Sequence, residues 1–192
     1  MNLISAANIS KAYTERWLFK EISFGLAKGE KLALVGSNGT GKSTLLRTLT
    51  GIQKPLKGAV FLNEKNIHDF QPLELAQNLS LVLTEKLPPS NLTVFELIAL
   101  GRQPYTNWLG NLSKEDHEKI NQAIALTHIE HLVAKKHHEI SDGQLQIVLI
   151  ARALAQDTPL IVLDEPTTHL DLSHKVTLLK LLKKLTLETG KS

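Results

Sequence analysis

The stretch GSNGTGKS, at residues 36–43, decides the fold of this chain. The mostly apolar run KLALV (31–35) precedes it and TLLRTLTG (44–51) follows, which predicts a buried strand, a glycine-rich loop and a helix that ends at Gly51. The stretch fits the pattern G-x-x-x-x-G-K-[ST], in which backbone N–H groups and a helix N-terminus surround phosphate groups. A chance glycine turn is the alternative, but the strand–loop–helix setting predicts a nucleoside triphosphate site.

The mechanism of such a loop gives its residues different roles. Lys42 is expected to reach the β- and γ-phosphates and to assist catalysis. The Ser43 hydroxyl is expected to bind Mg²⁺, and Thr44 to add a phosphate contact. The residues predicted to bind the nucleotide are Gly36, Ser37, Asn38, Gly39, Thr40, Gly41, Lys42, Ser43 and Thr44.

A second stretch, LIVLDE at residues 160–165, places two acids after four apolar residues. Two carboxylates at the end of a buried strand are costly unless a cation or a proton uses them. We expect Asp164 to hold Mg²⁺, directly or through water, and Glu165 to polarise the attacking water as general base. The alternative is a solvated acidic turn, which the phosphate loop elsewhere in the chain disfavours.

Composition limits the other classes of function. The 192 residues are 42% hydrophobic and 21% charged, which is typical of one globular domain with a core. The net charge of +3 is small and scattered, so no nucleic-acid partner is expected. Cysteine is absent, and eight histidines form no recognisable ligand spacing, so no metal beyond Mg²⁺ is expected. The absence of cysteine is compatible with a reducing compartment, so a cytoplasmic location is expected. No charged leader and no apolar run of about 20 residues is found, so we expect the chain to reach a membrane only through a partner.

The order of patterns predicts an α/β fold with an inserted helical part. Short strand-like runs lie at residues 3–9 and 22–26, and later at GAVFLN and LSLVL. From Thr84 to Gln156 we find helical patterns and no convincing strand. We therefore predict an α/β core at 1–83 and 157–192 and a helical subdomain at 84–156. Capping boxes are predicted for Thr93 with Glu96, Ser113 with Asp116, and Ser141 with Gln144.

The segment ISDGQ, at residues 140–144, adds the decisive motif. The order of phosphate loop, helical insertion, SDGQ, LDEP and HLD resembles the nucleotide-binding subunits of ABC transporters over nearly the whole chain. The resemblance implies a P-loop NTPase core on a mostly parallel central sheet, with an N-terminal antiparallel β region and an inserted α-helical subdomain. It also implies that ATP and Mg²⁺ are the cofactors.

In that family two ATP molecules lie between two copies that pair head to tail. Ser141, Gly143 and Gln144 match the segment, usually LSGGQ, that contacts the γ-phosphate bound by the other copy. Asp142 replaces a glycine of that segment. Because a carboxylate would repel a γ-phosphate, we expect its side chain to point into solvent and to favour the helix N-terminus.

Three further positions match the family by resemblance alone. Tyr13 lies where an aromatic residue stacks on adenine, although a packed strand-end aromatic is an alternative. Asp171 matches an aspartate that communicates across the dimer, although it could also be a helix N-cap. Thr84 stands where a glutamine senses Mg²⁺ and the transport subunit, and Glu85 could supply an oxygen ligand there instead.

The stretch GRQPY at residues 101–105 resembles importer ATPases for iron-siderophore, haem and cobalamin substrates. That resemblance implies two integral-membrane permease subunits, contacted through residues 84–91, and indirectly a substrate-binding protein. It also places the chain on the inner face of the cell membrane as a peripheral subunit. Tyr105 and Trp108 are expected to be packing aromatics.

The resemblance also implies that the family's C-terminal strands and switch histidine come after the last residues of this chain, 190–192. Two other functions stay open. One is a soluble ABC-type ATPase that takes no part in transport, and the other is a regulatory module that binds ATP without hydrolysing it.

Overall fold

The computed structural model describes residues 2–14, 16–83, 87–88, 90–168 and 170–192. Two compact units make up the chain: Met1–Leu75 with Gly190–Ser192, and Ala76–Thr189. The predicted roles of Thr84 and Glu85 fall outside the described residues. The predicted boundaries at 84 and 156 stay a prediction.

An antiparallel sheet organises the first unit, with strand order β2-β1-β3-β4. Its strands are β1 (Asn2–Tyr13), β2 (Arg16–Ala27), β3 (Lys57–Leu62) and β4 (Lys65–Asn66). Ile9, Val60 and Leu62 are at most 1% exposed, so one face of the sheet carries the core. This confirms the predicted N-terminal strands, which are longer than their apolar runs suggested.

Helix α1 (Lys42–Leu49) follows the glycine-rich loop, and α2 (Pro72–Ala76) spans the point in the sequence at which the second unit begins. Thr50 caps α1, and Gly51 follows with φ 78°, which confirms the predicted helix end. The strand predicted at 31–35 is wrong: residues 31–37 have no regular structure, and Val35 is 95% exposed. A strand needs a neighbour for its backbone groups, and the described strands β1 to β4 pair only with one another.

The second unit combines a parallel strand pair with helices. Strand β5 (Leu79–Val82) pairs in parallel with β6 (Leu160–Leu163), from Leu79 opposite Leu160 to Val82 opposite Leu163. The helices are α3 (Val94–Ala99), α4 (Lys114–Thr127), α5 (Asp142–Ala155) and α6 (Leu172–Thr189). Helix α5 is the most central, since Val148, Ala151 and Ala155 are fully buried.

All three predicted capping boxes are confirmed. In each, the N-cap hydroxyl accepts a hydrogen bond from the backbone N–H three residues on, and the side chain at that position accepts from the N-cap N–H. Between 87 and 156 the described residues contain no strand, only an isolated antiparallel bridge between Thr93 and Lys136. Within the described chain, no helix has the length and apolar character needed to cross a bilayer.

Candidate nucleotide-binding and catalytic residues

The glycine-rich loop has a backbone that only glycine adopts without strain at two positions. Gly39 has φ 79° and Gly41 has φ 92°, both in the left-handed region. Gly41 is the N-cap of α1, and its carbonyl accepts from the Leu45 N–H over 2.8 Å. A Cβ atom on Gly41 would lie 3.2 Å from Cβ of Leu18. The glycines therefore set the turn that brings the chain into the helix.

Lys42 closes this loop on itself. Its Nζ donates to the carbonyl oxygens of Gly36 over 3.0 Å and Ser37 over 2.9 Å, and the Thr40 hydroxyl also donates to Ser37. The ammonium group is thus held beside an exposed loop, residues 36–40, at the N-terminal end of α1. No acidic residue lies in the first turn of α1, so the positive helix end is not offset there.

These features fit a bound polyphosphate. Backbone N–H groups, a helix N-terminus and a cation stabilise a bound anion, and residues 36–43 contain a glycine-rich turn, the N-terminal end of α1 and Lys42. Ser43 and Thr44 lie in the first turn of α1 and are partly exposed, as their predicted roles require. Their contacts with nucleotide and Mg²⁺ stay predictions.

Tyr13 is exposed at the end of β1. Its side chain is 51% exposed, and its hydroxyl donates to Oε1 of Gln53 over 3.2 Å. That exposure disfavours the alternative of a packed aromatic. Stacking on adenine stays a prediction.

The two acids of the second stretch have different environments. Asp164 is 4% exposed, and its N–H donates to the Val82 carbonyl over 2.9 Å, which extends the parallel pairing past Leu163. Glu165 is partly exposed and adopts φ 45°. A non-glycine residue in this left-handed region is strained by roughly 1–2 kcal/mol. The chain thus turns sharply at the general-base candidate.

Thr168 holds that turn, and the sequence patterns did not point to it. Its hydroxyl donates to Oε2 of Glu165 over 3.0 Å, and its N–H donates to the Glu165 carbonyl over 3.0 Å. A threonine three residues after a strand-end acid is the only sequence signal for this contact. The hydroxyl contact holds one oxygen of the Glu165 carboxylate beside the turn.

Oxygen groups such as those of Asp164 and Ser43 are the ligand type that Mg²⁺ prefers. Among the described residues, no group of three or more His, Asp or Glu side chains is placed to hold a metal ion. Thr84, the third predicted metal ligand, lies outside the described residues.

Ser141 begins α5 as its N-cap. Its hydroxyl oxygen accepts from the Gln144 N–H over 3.3 Å, and Oε1 of Gln144 accepts from the Ser141 N–H over 3.0 Å. Gly143 is buried, while Asp142 is exposed at the first helical position. The Ser141 hydroxyl accepts through its oxygen and so keeps a hydrogen that it can donate to an anion.

Asp171 lies immediately before α6, exposed, and its carbonyl accepts from the Lys175 N–H over 3.0 Å. Its predicted role across a dimer is untested.

Trp108 was expected to be a packing aromatic, and this is wrong, because its side chain is 91% exposed. Tyr105 is 38% exposed and lies under the Arg102 guanidinium, 4.0 Å from the ring centre.

Sequence reasoning also missed a buried ion pair in the second unit. Arg102 and Asp116 are 2.8 Å apart from Nε to Oδ1, and each side chain is 3% exposed. The sequence identified Asp116 only as part of a capping box with Ser113. The sequence signal for this pair was Arg102 at the end of the mostly apolar run LIALGR, since a guanidinium that is buried there requires a partner.

The structure therefore brings the predicted residues together in three groups. The phosphate-loop residues 36–44 form one group in the first unit, with Tyr13 on the same unit. Asp164 and Glu165 form the second with Thr168, and Ser141, Gly143 and Gln144 form the third.

Comparison with known sequences identifies the family. The sequence profile described as ABC transporter matches residues 19–168. The chain is 43% identical over 183 residues to an uncharacterized ABC transporter ATP-binding protein of Methanocaldococcus jannaschii, covering 95% of this chain and 63% of that protein. It is 40% identical to the achromobactin transport ATP-binding protein of Dickeya dadantii, covering 100% of this chain and 71% of that one. For the ferric enterobactin transport ATP-binding protein of Escherichia coli the identity is 37%, with 95% and 67% covered.

Solved structures give the same result for the fold. An ABC transporter of the metal-chelate type in an inward-facing conformation matches with TM-score 0.85 and 32% identity, covering 99% of this chain and 70% of that one. A dimeric ATP-binding cassette in a post-hydrolysis state with ADP and Pi matches with TM-score 0.81 and 30% identity, covering 98% and 84%. These matches confirm the predicted α/β P-loop NTPase class. The chain spans 63% to 71% of the length of the three relatives above. It belongs to the ABC transporter family, as one of its ATP-binding ATPase cassettes.

Proposed function

We propose that this chain binds and hydrolyses ATP with Mg²⁺ as the ATPase subunit of an importer for iron-siderophore, haem or cobalamin substrates. The observation that carries the proposal is the phosphate loop, in which Gly41 begins α1 at φ 92° and Lys42 holds its ammonium group on the loop carbonyls. The named relatives that transport achromobactin and ferric enterobactin favour an iron-siderophore substrate.

Each residue group has its own part in this proposal. The loop backbone and Lys42 bind the β- and γ-phosphates and offset negative charge as it develops on them. Ser43 and Asp164 would hold Mg²⁺, which would offset the negative charge of the phosphates. Glu165 orients the attacking water and accepts its proton, and Thr168 keeps that carboxylate in one direction.

The working form is a head-to-tail dimer of two copies. Ser141 and Gly143 at the start of α5 contact the γ-phosphate bound by the other copy, and Asp171 communicates across the pair. The helix N-terminus at Ser141 favours an anion. The solved dimeric cassette that matches this chain supports the arrangement. ATP closes the dimer and hydrolysis reopens it.

The partners are two permease subunits in the membrane, and a substrate-binding protein acts through them. The chain is then peripheral on the inner face of the cell membrane, and residues 84–91 contact the permease. Co-purification with two integral-membrane subunits separates this proposal from a soluble ATPase outside transport.

The test is ATP-dependent dimerisation of the chain with Glu165→Gln, which keeps the shape of the side chain and removes the base. Light scattering is expected to show a dimer with MgATP and a monomer with MgADP. A monomer at saturating ATP would contradict the composite site and leave nucleotide binding alone. ATP turnover by the unsubstituted chain, absent in Glu165→Gln, separates an ATPase from a regulatory ATP-binding module.

A further inference from the structure

A buried histidine joins two segments of the second unit. His137 is 7% exposed, and its Nε2 lies 2.8 Å from Oγ of Ser90, within hydrogen-bond distance. Ser90 is the last residue of the segment 84–90, which comes after β5 in the sequence. The proposed function assigns the permease contact to this segment. His137 stands four residues before Ser141. The histidine therefore contacts one functional segment and leads directly into another.

Backbone hydrogen bonds reinforce the same junction. The His137 N–H donates to the Leu92 carbonyl over 3.0 Å, and Thr93 forms the isolated antiparallel bridge with Lys136. The next two donors along the chain, the N–H groups of residues 94 and 95, donate to the carbonyls of residues 135 and 133 over 2.8 and 3.0 Å. Residues 90–95 thus run antiparallel to residues 133–137, and the Ser90 contact is at one end of this ladder.

The path from His137 to Ser141 is short and constrained. A 3-10 turn, His137–Glu139, begins there, and Oε2 of Glu139 accepts from the Lys136 N–H over 2.8 Å. Ser141 then caps α5 two residues after the turn. The turn and this hydrogen bond hold the short path between the two residues, so we expect a shift at His137 to be passed on to Ser141.

We propose that His137 is a positioning residue that couples the segment ending at Ser90 to the signature residues beginning at Ser141. The inference rests on the proposed function, which assigns the permease contact to residues 84–91 and the γ-phosphate contact to Ser141. Because a hydrogen bond of this kind requires a donor–acceptor distance of up to about 3.2 Å and good alignment, displacement of Ser90 by a bound permease would weaken its contact with His137 and through it change the placement of Ser141. His138 is exposed and packs edge-on to His137 at 5.8 Å between ring centres, so it offers a matched control.

The first test is hydrogen–deuterium exchange of the chain without nucleotide. Ser90→Ala is expected to speed exchange in peptides covering 137–146, where the amides of Gln144 and Leu145 donate to Ser141. Ser90→Thr keeps the hydroxyl and is expected to restore the slow exchange, and His138→Ala is expected to leave it unchanged. Unchanged exchange at 137–146 in Ser90→Ala would overturn the inference. Exchange in the buried part of α5, 148–155, reports whether the fold itself is intact.

The second test adds Ser90→Ala to the Glu165→Gln background and measures ATP-dependent dimerisation by light scattering. The loss of one hydrogen bond is expected to raise the ATP concentration at half-dimerisation roughly threefold to tenfold. ATP affinity of the monomer is expected to stay the same, whereas a general structural defect would lower it as well. His137→Gln, whose amide can reach the same hydroxyl, is expected to lie closer to the parent than His137→Ala. An unchanged half-dimerisation concentration in Ser90→Ala would contradict the coupling.

The two tests separate the inference from the function on which it rests. If the parent chain with Glu165→Gln stays monomeric in ATP, the proposed dimer is wrong, while the exchange result still decides whether Ser90 holds the signature segment. If the parent dimerises and Ser90→Ala behaves like it in both measurements, the dimer stands and the coupling is wrong.

Discussion

Arg102 and Asp116 form an ion pair inside the second unit, with 2.8 Å between Nε and Oδ1 and both side chains 3% exposed. The Nη1 group of Arg102 also donates to the Ala155 carbonyl, at the C-terminal end of α5, over 2.9 Å. Oδ2 of Asp116 accepts from the N–H and the hydroxyl of Ser113, at the start of α4, over 2.8 and 2.7 Å. One charge pair therefore ties the ends of two helices.

Removing one member of this pair is expected to be strongly destabilising. Arg102→Met leaves the Asp116 carboxylate buried without its counter-ion, and we expect the free energy of unfolding to fall by about 3–5 kcal/mol. The matched control is Lys65→Met, which breaks the exposed ion pair between Lys65 and Glu74. For that pair we expect about 1 kcal/mol or less. Urea unfolding followed by circular dichroism measures both, and equal losses would contradict the argument.

The same pair predicts a pH dependence. Burial disfavours the charged carboxylate and raises the pKa of Asp116, but hydrogen bonds from Ser113 and Arg102 outweigh it, so that the pKa is lowered from 3.8. The stability that this carboxylate contributes is therefore complete above the unfolded pKa of about 3.9 and is lost as the pH falls through the lower folded value. The difference in urea midpoint between the parent and Asp116→Asn should be constant from pH 7 to pH 5 and shrink only below about pH 4. If the difference in urea midpoint already shrank near pH 6, the pH dependence would have to come from another titratable group.

Gly41→Ala tests the shape of the phosphate loop. The substitution adds left-handed strain of roughly 1–2 kcal/mol and a tight contact 3.2 Å from Leu18, so Leu18 or the start of α1 must move by a few tenths of an ångström. We expect the strained helix start to move, which displaces its N–H groups and lowers ATP affinity at least about tenfold. Gly29→Ala is the control, since Gly29 has φ 83° and no heavy atom lies within 4 Å of its added Cβ. It should lose similar stability and keep its ATP affinity, as measured by titration calorimetry.

Thr168→Val tests the hold on the general base. A hydrogen bond to a charged group contributes about 1.5–3 kcal/mol, so kcat for ATP hydrolysis should fall about tenfold or more while KM changes little. Thr168→Ser keeps the donor and should retain most of the rate. Steady-state kinetics of the parent, Thr168→Val and Thr168→Ser measure kcat and KM for all three. A valine variant with the parent kcat would show that Glu165 is oriented without this contact.

Ser141→Ala removes both a helix cap and a proposed phosphate contact. The cap is worth about 1 kcal/mol, and Ser113→Ala removes the corresponding cap from α4 together with the hydroxyl that donates to the buried Asp116. We expect Ser113→Ala to lose at least as much stability as Ser141→Ala, but only Ser141→Ala to abolish ATP-dependent dimerisation in the Glu165→Gln background. Equal dimerisation in the two variants would remove Ser141 from the interface.

Asp142 provides a companion test at the same helix start. Its side chain is exposed in the first turn of α5, where it favours the helix N-terminus. Asp142→Gly should therefore change ATP turnover by less than about tenfold, as expected for a carboxylate that points into solvent and not toward the phosphate. A rate several orders of magnitude higher in Asp142→Gly would show that the carboxylate opposes the nucleotide.

Local patterns were predictable from the sequence because their residues interact within four positions. The three capping boxes and the end of α1 at Gly51 are all of this kind. The strand predicted at 31–35 failed because a strand depends on a neighbour that its own apolar residues do not specify. Arg102 and Asp116 are fourteen positions apart, and Ser90 and His137 forty-seven, so only the fold brings their side chains together. The family motifs identify the candidate residues, whereas the contacts that orient these residues depend on the fold.

At Glu165, the residue that would best stabilise the left-handed backbone differs from the residue that the proposed reaction needs. Glycine would adopt φ 45° there without strain, and Glu165→Gly would therefore relax the turn while removing the carboxylate that the proposed reaction needs. The sequence that is best for this turn is not the sequence that can activate water. A laboratory selection for heat resistance alone would accordingly favour inactive variants at this residue, so thermostable versions of this cassette should be screened for turnover as well as for folding.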